Sequence, residues 1–189
     1  MDDHLFFAIN GLAGHSHVLD AIMVASAKYL PVVFGLALVA LWLSWRPENQ
    51  RGAFLAGASA LIALGIGQLV GIAFPRPRPY LSHQVTQLIA RSADTSFPSD
   101  HATLGFAVAV MVWTFNRRAG AALLLLALLL GFSRVFVGAH YPGDVFGGAV
   151  LGSITSLVLS VLSCRPPLVT GIDKLMELFS RWKLAARLR

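Results

Sequence analysis

The stretch AALLLLALLLGFSRVFVGAHYPGDVFGGAV, residues 121–150, decides the fold of this chain. From Ala121 to Phe132 it carries no formal charge. It then places Ser133, Arg134, His140 and Asp144 close together and returns to an apolar run at Val145. Crossing about 30 Å of hydrocarbon takes roughly 20 predominantly apolar residues. The first run therefore reads as a membrane helix continuing through Val137, and the second as another from Val145 to Ser163. Pro142 suits the first turn of that second helix. An arginine, a histidine and an aspartate at the edge of a membrane are costly unless they meet something charged. Phosphate is the obvious candidate.

Working outward, three more apolar segments appear. His17 to Trp45 reads as one long helix, longer than a bilayer requires, so it should tilt or project beyond the lipid, with Pro31 a candidate kink. Ala53 to Phe74 is the next span. Its glycines permit close helix approach in lipid, and Gln68 should hydrogen-bond to a neighbouring helix. Ala102 to Phe115 is short and needs Ser99 to His101 in its first turn. A short surface helix is expected over His83 to Ala90. Gly148 and Gly152 form a small-residue packing pair.

The sum is an all-α integral membrane protein with about five transmembrane helices over residues 16–163. An interfacial segment over 1–15 precedes them. A basic amphipathic tail over 164–189 follows, expected to lie on the anionic cytoplasmic leaflet. Composition agrees: of 189 residues, 56% are apolar and 13% charged, against about 25% charged in soluble domains. The net charge of +6 falls largely in short loops and the tail, which reads as a topology signal and not as a nucleic-acid surface. Cys164 is the one cysteine, so no internal disulfide or thiolate metal site forms. With five spans, Arg46 and Arg51, Arg117 and Arg118, and Arg165 fall on one side, which should be cytoplasmic. The N-terminus, the 75–100 loop and the 133–144 segment then share the outer face.

Three clusters on that face carry the chemistry: Arg76-Pro77-Arg78-Pro79, Pro98-Ser99-Asp100-His101, and Ser133-Arg134 with His140 and Asp144. Asp144 lies one helical turn from His140. An aspartate beside a histidine can keep one ring nitrogen protonated and leave the other as a nucleophile able to attack phosphorus. Ser99 precedes an apolar helix, whose free N–H groups and dipole suit an anion. His101 beside it can protonate a leaving oxygen. Arg76 and Arg78 sit in a stiff Pro-rich segment and, with Arg134, offer planar forks for phosphate.

These clusters resemble the type 2 phosphatidic acid phosphatase (PAP2) superfamily of membrane lipid phosphatases. The family pattern runs Lys, six residues, Arg-Pro; then Pro-Ser-Gly-His; then Ser-Arg, five residues, His, three residues, Asp. Arg78-Pro79, PSDH at 98–101, and Ser133-Arg134 with His140 and Asp144 match it. The resemblance implies a PAP2-like bundle with the active site at the outer interface. It assigns His140 as nucleophile, Asp144 as its orienting partner and His101 as general acid, with Arg78, Arg134 and Ser99 on phosphate and no metal or cofactor. Two positions depart from the pattern: Gly71 stands where the lysine belongs, and Asp100 replaces the glycine. Arg76 is the candidate to supply the missing charge, and the Asp100 N–H can still bind phosphate.

FPSDH is also similar to the bacterial undecaprenyl-diphosphate phosphatases of the bacitracin-resistance type. That likeness implies hydrolysis of an isoprenoid lipid diphosphate at the inner membrane, in peptidoglycan synthesis and bacitracin resistance. Two alternatives stand beside it: a broad lipid phosphatase acting on phosphatidic acid or phosphatidylglycerol phosphate, and a non-enzymatic phosphate-binding or transport protein.

Overall fold

The computed structural model describes residues 2–90, 94–165, 171 and 174. Among them the chain forms seven helices: α1 (Asp2–Asn10), α2 (His17–Leu43), α3 (Pro47–Ala73), α4 (Pro79–Ser82), α5 (Asp100–Phe115), α6 (Arg117–Phe136) and α7 (Pro142–Leu162). Four of these, α2, α3, α6 and α7, are long and apolar enough to cross a membrane. The 16-residue α5 is shorter. Most of the amphipathic tail, and with it the expected amphipathic face, lies outside the described residues.

Local chemistry explains where the helices differ from expectation. α3 starts at Pro47 and not at Ala53, because a proline at its first position has the right φ and Glu48 favours the positive helix end. α2 runs unbroken past Pro31. Asn116 ends α5 and caps α6 at once, its side chain accepting from Ala119 N–H (3.1 Å). No helix forms over His83 to Ala90. α4 stops at Ser82, and the backbone beyond it is committed elsewhere: Thr86 N–H donates to Asn10 Oδ1 (3.0 Å) and Leu88 N–H to the Val137 carbonyl (3.3 Å).

α5 lies at the centre, packed against α3, α6 and α7. Gly148 and Gly152 make its contact with α7 possible. A Cβ at 148 would stand 2.6 Å from the Ser99 carbonyl, and one at 152 would run into the Thr103 carbonyl. In lipid such close backbone packing replaces the hydrophobic drive between helices. A polar knot adds to it: Ser156 Oγ donates to the Ala107 carbonyl (2.7 Å) and lies 3.1 Å from Ser59 Oγ, joining α7, α5 and α3. Phe34, Leu55, Met111, Val112, Leu123 and Leu130 fill the core. Leu61, Leu69, Ile72, Leu125, Leu128 and Val161 project outward, as a lipid-facing surface would.

α1 is docked on the bundle, not merely laid beside it. Phe6 is fully buried against Val135 and Tyr141. Asn10 Nδ2 donates to the carbonyls of Thr86 and Phe136, both at 2.8 Å.

Candidate active site

The third cluster owes its spacing to one helix end and one helix start. α6 closes in a Schellman turn: Ala139 N–H returns to the Arg134 carbonyl (3.0 Å) and Gly138 N–H to the Val135 carbonyl (3.0 Å). Gly138 has φ +80, and a Cβ there would stand 2.9 Å from the Thr86 carbonyl, so glycine is required. Arg134 therefore sits in the last turn of α6, with His140 just past the turn. Tyr141 then caps α7, Pro142 opens it, and Asp144 at its third position reaches back to Tyr141 N–H (2.9 Å). A helix end followed at once by a helix start thus presents arginine, histidine and aspartate together.

The hydrogen bonds of His140 fix its tautomer. Nδ1 lies 2.8 Å from the Ser96 carbonyl, which can only accept, so Nδ1 carries the proton. Nε2 is left with a lone pair and accepts from Arg78 Nη1 at 3.0 Å. Burial, together with the neighbouring Arg78 and Arg134 cations, pushes the His140 imidazole down to about 4 against the opposing pull of Asp144. The ring is neutral at neutral pH.

In front of Nε2 is a cavity of about 110 Å³, lined by Arg78, His101, Arg134 and His140 together with Asp94, Thr95, Asp100 and Gln68. Arg78 and Arg134 are 5% and 7% exposed. Arg78 is anchored by the Ala139 carbonyl (3.1 Å) and by Asp94 Oδ1 (2.9 Å). Arg134 Nε is buried without a hydrogen-bond partner, and so is Ser99 Oγ. Ser99 stands at the N-cap of α5 but makes no side-chain cap bond. Buried polar atoms are normally satisfied. An unsatisfied guanidinium N–H beside a second guanidinium suits an anion that brings its own acceptors, whereas Ser99 is not among the residues lining the cavity.

Behind the ring the arrangement is full. Asp144, completely buried, does not bond the imidazole directly; its Oδ2 is 3.9 Å from Nδ1. Ser96 stands between them. Its hydroxyl donates to Asp144 Oδ2, its carbonyl takes the Nδ1 proton, and its own N–H is tied to the Arg76 carbonyl (2.8 Å).

Arg76, expected on the substrate phosphate, is placed here by the structure. Nη1 binds Asp144 Oδ1 and Nη2 binds Asp2 Oδ2, both at 2.7 Å, with the guanidinium 4.1 Å over the Tyr141 ring. It is not among the residues lining the cavity. Nor is there room for a lysine at 71. A Cβ on Gly71 would meet Thr95 Oγ1 at 2.7 Å and the Phe97 carbonyl at 3.2 Å. The loop carrying Thr95 fills the space that a longer side chain would use.

Asp100 reaches the cavity wall with its carboxylate held by Gln68 Nε2, 3.2 and 3.0 Å from the two oxygens. That bond is the neighbouring-helix contact expected of Gln68. Ser96, Asp94 and Asp2 were not marked by sequence. Ser96 acts largely through its backbone carbonyl, which no residue type signals. Asp2 comes from the far end of the chain. Asp94 offered a faint cue, as an acid near the PSDH cluster.

Residues 52–165 match the PAP2 superfamily model. The chain belongs to the PAP2 superfamily. It is similar to the undecaprenyl-diphosphatase BcrC of Bacillus subtilis (strain 168), 40% identical over 82% of this chain and 80% of that protein. The bacitracin transport permease protein BcrC of Bacillus licheniformis is 29% identical over 93% of this chain and 86% of its own length. Among solved structures, the crystal structure of Aquifex aeolicus LpxE shares the fold, with TM-score 0.67 and 26% identity over 84% of this chain and 93% of that one. This PAP2 protein is a multi-pass membrane phosphatase acting on lipid.

Proposed function

We propose that the protein hydrolyses undecaprenyl diphosphate to undecaprenyl phosphate and orthophosphate through a phosphohistidine at His140, with no metal ion. The observation that carries this reading is the His140 Nε2 lone pair. The Ser96 carbonyl fixes its tautomer, and the lone pair faces a small cavity holding two buried guanidinium groups. The likeness to a Bacillus subtilis undecaprenyl-diphosphatase supports the choice of substrate.

In the first step, Nε2 forms a bond to the terminal phosphorus and the bridging P–O bond breaks. Its electron pair leaves on the lipid monophosphate oxygen, which takes a proton from His101, an imidazole that is charged only while the phosphate anion lies against it and offsets the two guanidinium groups. In the second step, water gives a proton to His101 and attacks phosphorus. The N–P bond breaks, and orthophosphate leaves with Nε2 restored. Arg78, Arg134 and Ser99 bind the equatorial oxygens and neutralise their charge in the transition state. Arg78 gives up its bond to Nε2 when phosphate arrives, which frees the lone pair.

The active site faces the outside of the bacterial inner membrane in this reading. The arginines at 46, 51, 117, 118 and 165 lie at the other ends of the helices, where the positive-inside rule places cytoplasm. In a Cys164→Ser background, Gln84→Cys should react with a membrane-impermeant thiol reagent in intact cells and Arg117→Cys should not. The reverse pattern overturns the orientation.

Transport of an anion without chemistry would need the arginines but would give no role to a tautomer-fixed histidine on a buried aspartate. The deciding experiment is phosphate release from purified protein on undecaprenyl diphosphate, phosphatidic acid and phosphatidylglycerol phosphate, repeated with His140→Ala. Preference for the diphosphate, lost in the variant, is expected. Equal rates on all three lipids would make it a broad lipid phosphatase, and no release at all would leave a binding protein.

A further inference from the structure

We infer that Asp2 and Arg76 are positioning residues for His140, holding through Asp144 and Ser96 the charge and orientation behind the attacking ring. This rests on reading His140 as the nucleophile.

The inference starts from Asp144. A fully buried carboxylate needs a paired cation or its ionised form is heavily penalised. Its one ion-pair guanidinium among the described residues is Arg76, at 2.7 Å from Oδ1. The other oxygen is held by the Ser96 hydroxyl and Tyr141 N–H. All its contacts are therefore fixed, and the Ser96 hydroxyl links it to the segment whose carbonyl holds Nδ1.

Arg76 is itself held twice. Asp2 Oδ2 takes Nη2 at 2.7 Å, and Asp2 Oδ1 accepts from Gly143 N–H at 2.8 Å, in the first turn of the helix that carries Asp144. One carboxylate from α1 thus fixes both the cation that pairs with Asp144 and the helix end on which Asp144 stands.

The charges add to a purpose. Asp2, Arg76 and Asp144 together carry one net negative charge behind the ring. As Nε2 bonds phosphorus while Nδ1 keeps its proton, the ring becomes positively charged, and that net charge stabilises it. Removing the Asp2 charge leaves a neutral Arg76–Asp144 pair and takes more stabilisation from the transition state than from the ground state. Such a loss appears in kcat and not in KM. Asp2 lies outside residues 52–165, so α1 contributes to the catalytic frame from beyond the matched family core.

The test uses the purified full chain with a lipid diphosphate and a lipid monophosphate that share one tail. Arg76→Gln leaves the buried Asp144 carboxylate without its cation, so Asp144 takes up a proton and its hold on Ser96 is lost; kcat should fall by about tenfold to a hundredfold. KM should stay within about twofold, and the factor should be the same on both lipids. Asp2→Asn keeps an acceptor for Gly143 N–H and should lower kcat by roughly three- to tenfold with KM unchanged. Arg76→Lys should recover part of the loss. In the double variant Asp2→Asn should add little to Arg76→Gln, because the two act as one unit.

A larger loss on the diphosphate with a raised KM would put Arg76 on the substrate and overturn the inference. Asp2→Asn with normal kcat and a lower melting temperature would make Asp2 an anchor only. If Arg76→Gln fails to fold, Asp2→Asn decides alone. The nucleophile reading is checked separately by an acid-labile, alkali-stable phosphoryl label on the protein. The label should be present in wild type and Asp2→Asn and absent in His140→Ala. A label that persists in His140→Ala overturns that reading, whatever the other variants do.

Discussion

The two sides of the His140 ring are built on opposite principles. In front, Arg134 Nε is buried without a partner and two guanidinium groups crowd a small cavity. Behind, the Asp144 oxygens, the Ser96 hydroxyl and both terminal nitrogens of Arg76 are engaged. The front is unfinished without a ligand, whereas the back is complete before one arrives. Residue type alone does not separate these roles. Arg76 and Arg78 are two positions apart, yet Arg78 lines the cavity and Arg76 serves the rear.

His140→Ala removes the group that both sides serve and should reduce turnover by about ten-thousandfold or more. Residual turnover near wild type in a phosphate-release assay would dissolve the contrast altogether. Arg134→Ala acts on the front alone. It should cost roughly tenfold to over a hundredfold in kcat/KM, with a clear rise in KM for the lipid diphosphate. Ser96→Ala acts on the rear. It deletes the hydroxyl bond to Asp144 but leaves the carbonyl on Nδ1, so kcat should fall by about tenfold while KM holds. A KM effect from Ser96→Ala measured under the same conditions would show that front and rear are not separate.

The smallest effect is on pH. His140 is held down to about 4 from 6.5, so its protonation should not cut kcat/KM of the free enzyme between those values. The acid limb belonging to this ring lies near the lower one. Over the same window the unfolded chain binds the proton more readily than the folded protein does. Stability from this group is therefore complete above about 6.5 and declines as pH falls toward 4. His140→Gln should flatten that part of the stability profile, as thermal denaturation at several pH values would record.

The long helices were legible because lipid demands apolar runs, and α2, α3, α6 and α7 each contain one. Their ends were less so: Pro47 captured α3 early, and His83 to Ala90 lost its helix to backbone bonds with distant Asn10 and Val137. His101, His140, Arg78 and Arg134 could be read because side-chain chemistry at a fixed spacing marks them, and the structure brings all four to one cavity. Ser96 could not be read, because its carbonyl does part of the work. Arg76 shows a related limit. Its charge was visible, but the direction of its side chain depends on Asp2, a residue 74 positions away.

The glycine seam between α5 and α7 has a consequence for a chain still being made. His101 is on α5, while Asp144 is on α7, with α6 between them. Domains mature as the ribosome extends the polypeptide. A chain released only as far as Phe136 already carries Arg78, His101 and Arg134, but it lacks His140 and Asp144 and the Gly148 and Gly152 surface that packs on α5. α7, the last of the described membrane-length helices, is therefore the one that completes the cavity. On the proposed reading, a nascent or truncated copy in the membrane would gather the cations for phosphate without the means to cleave it.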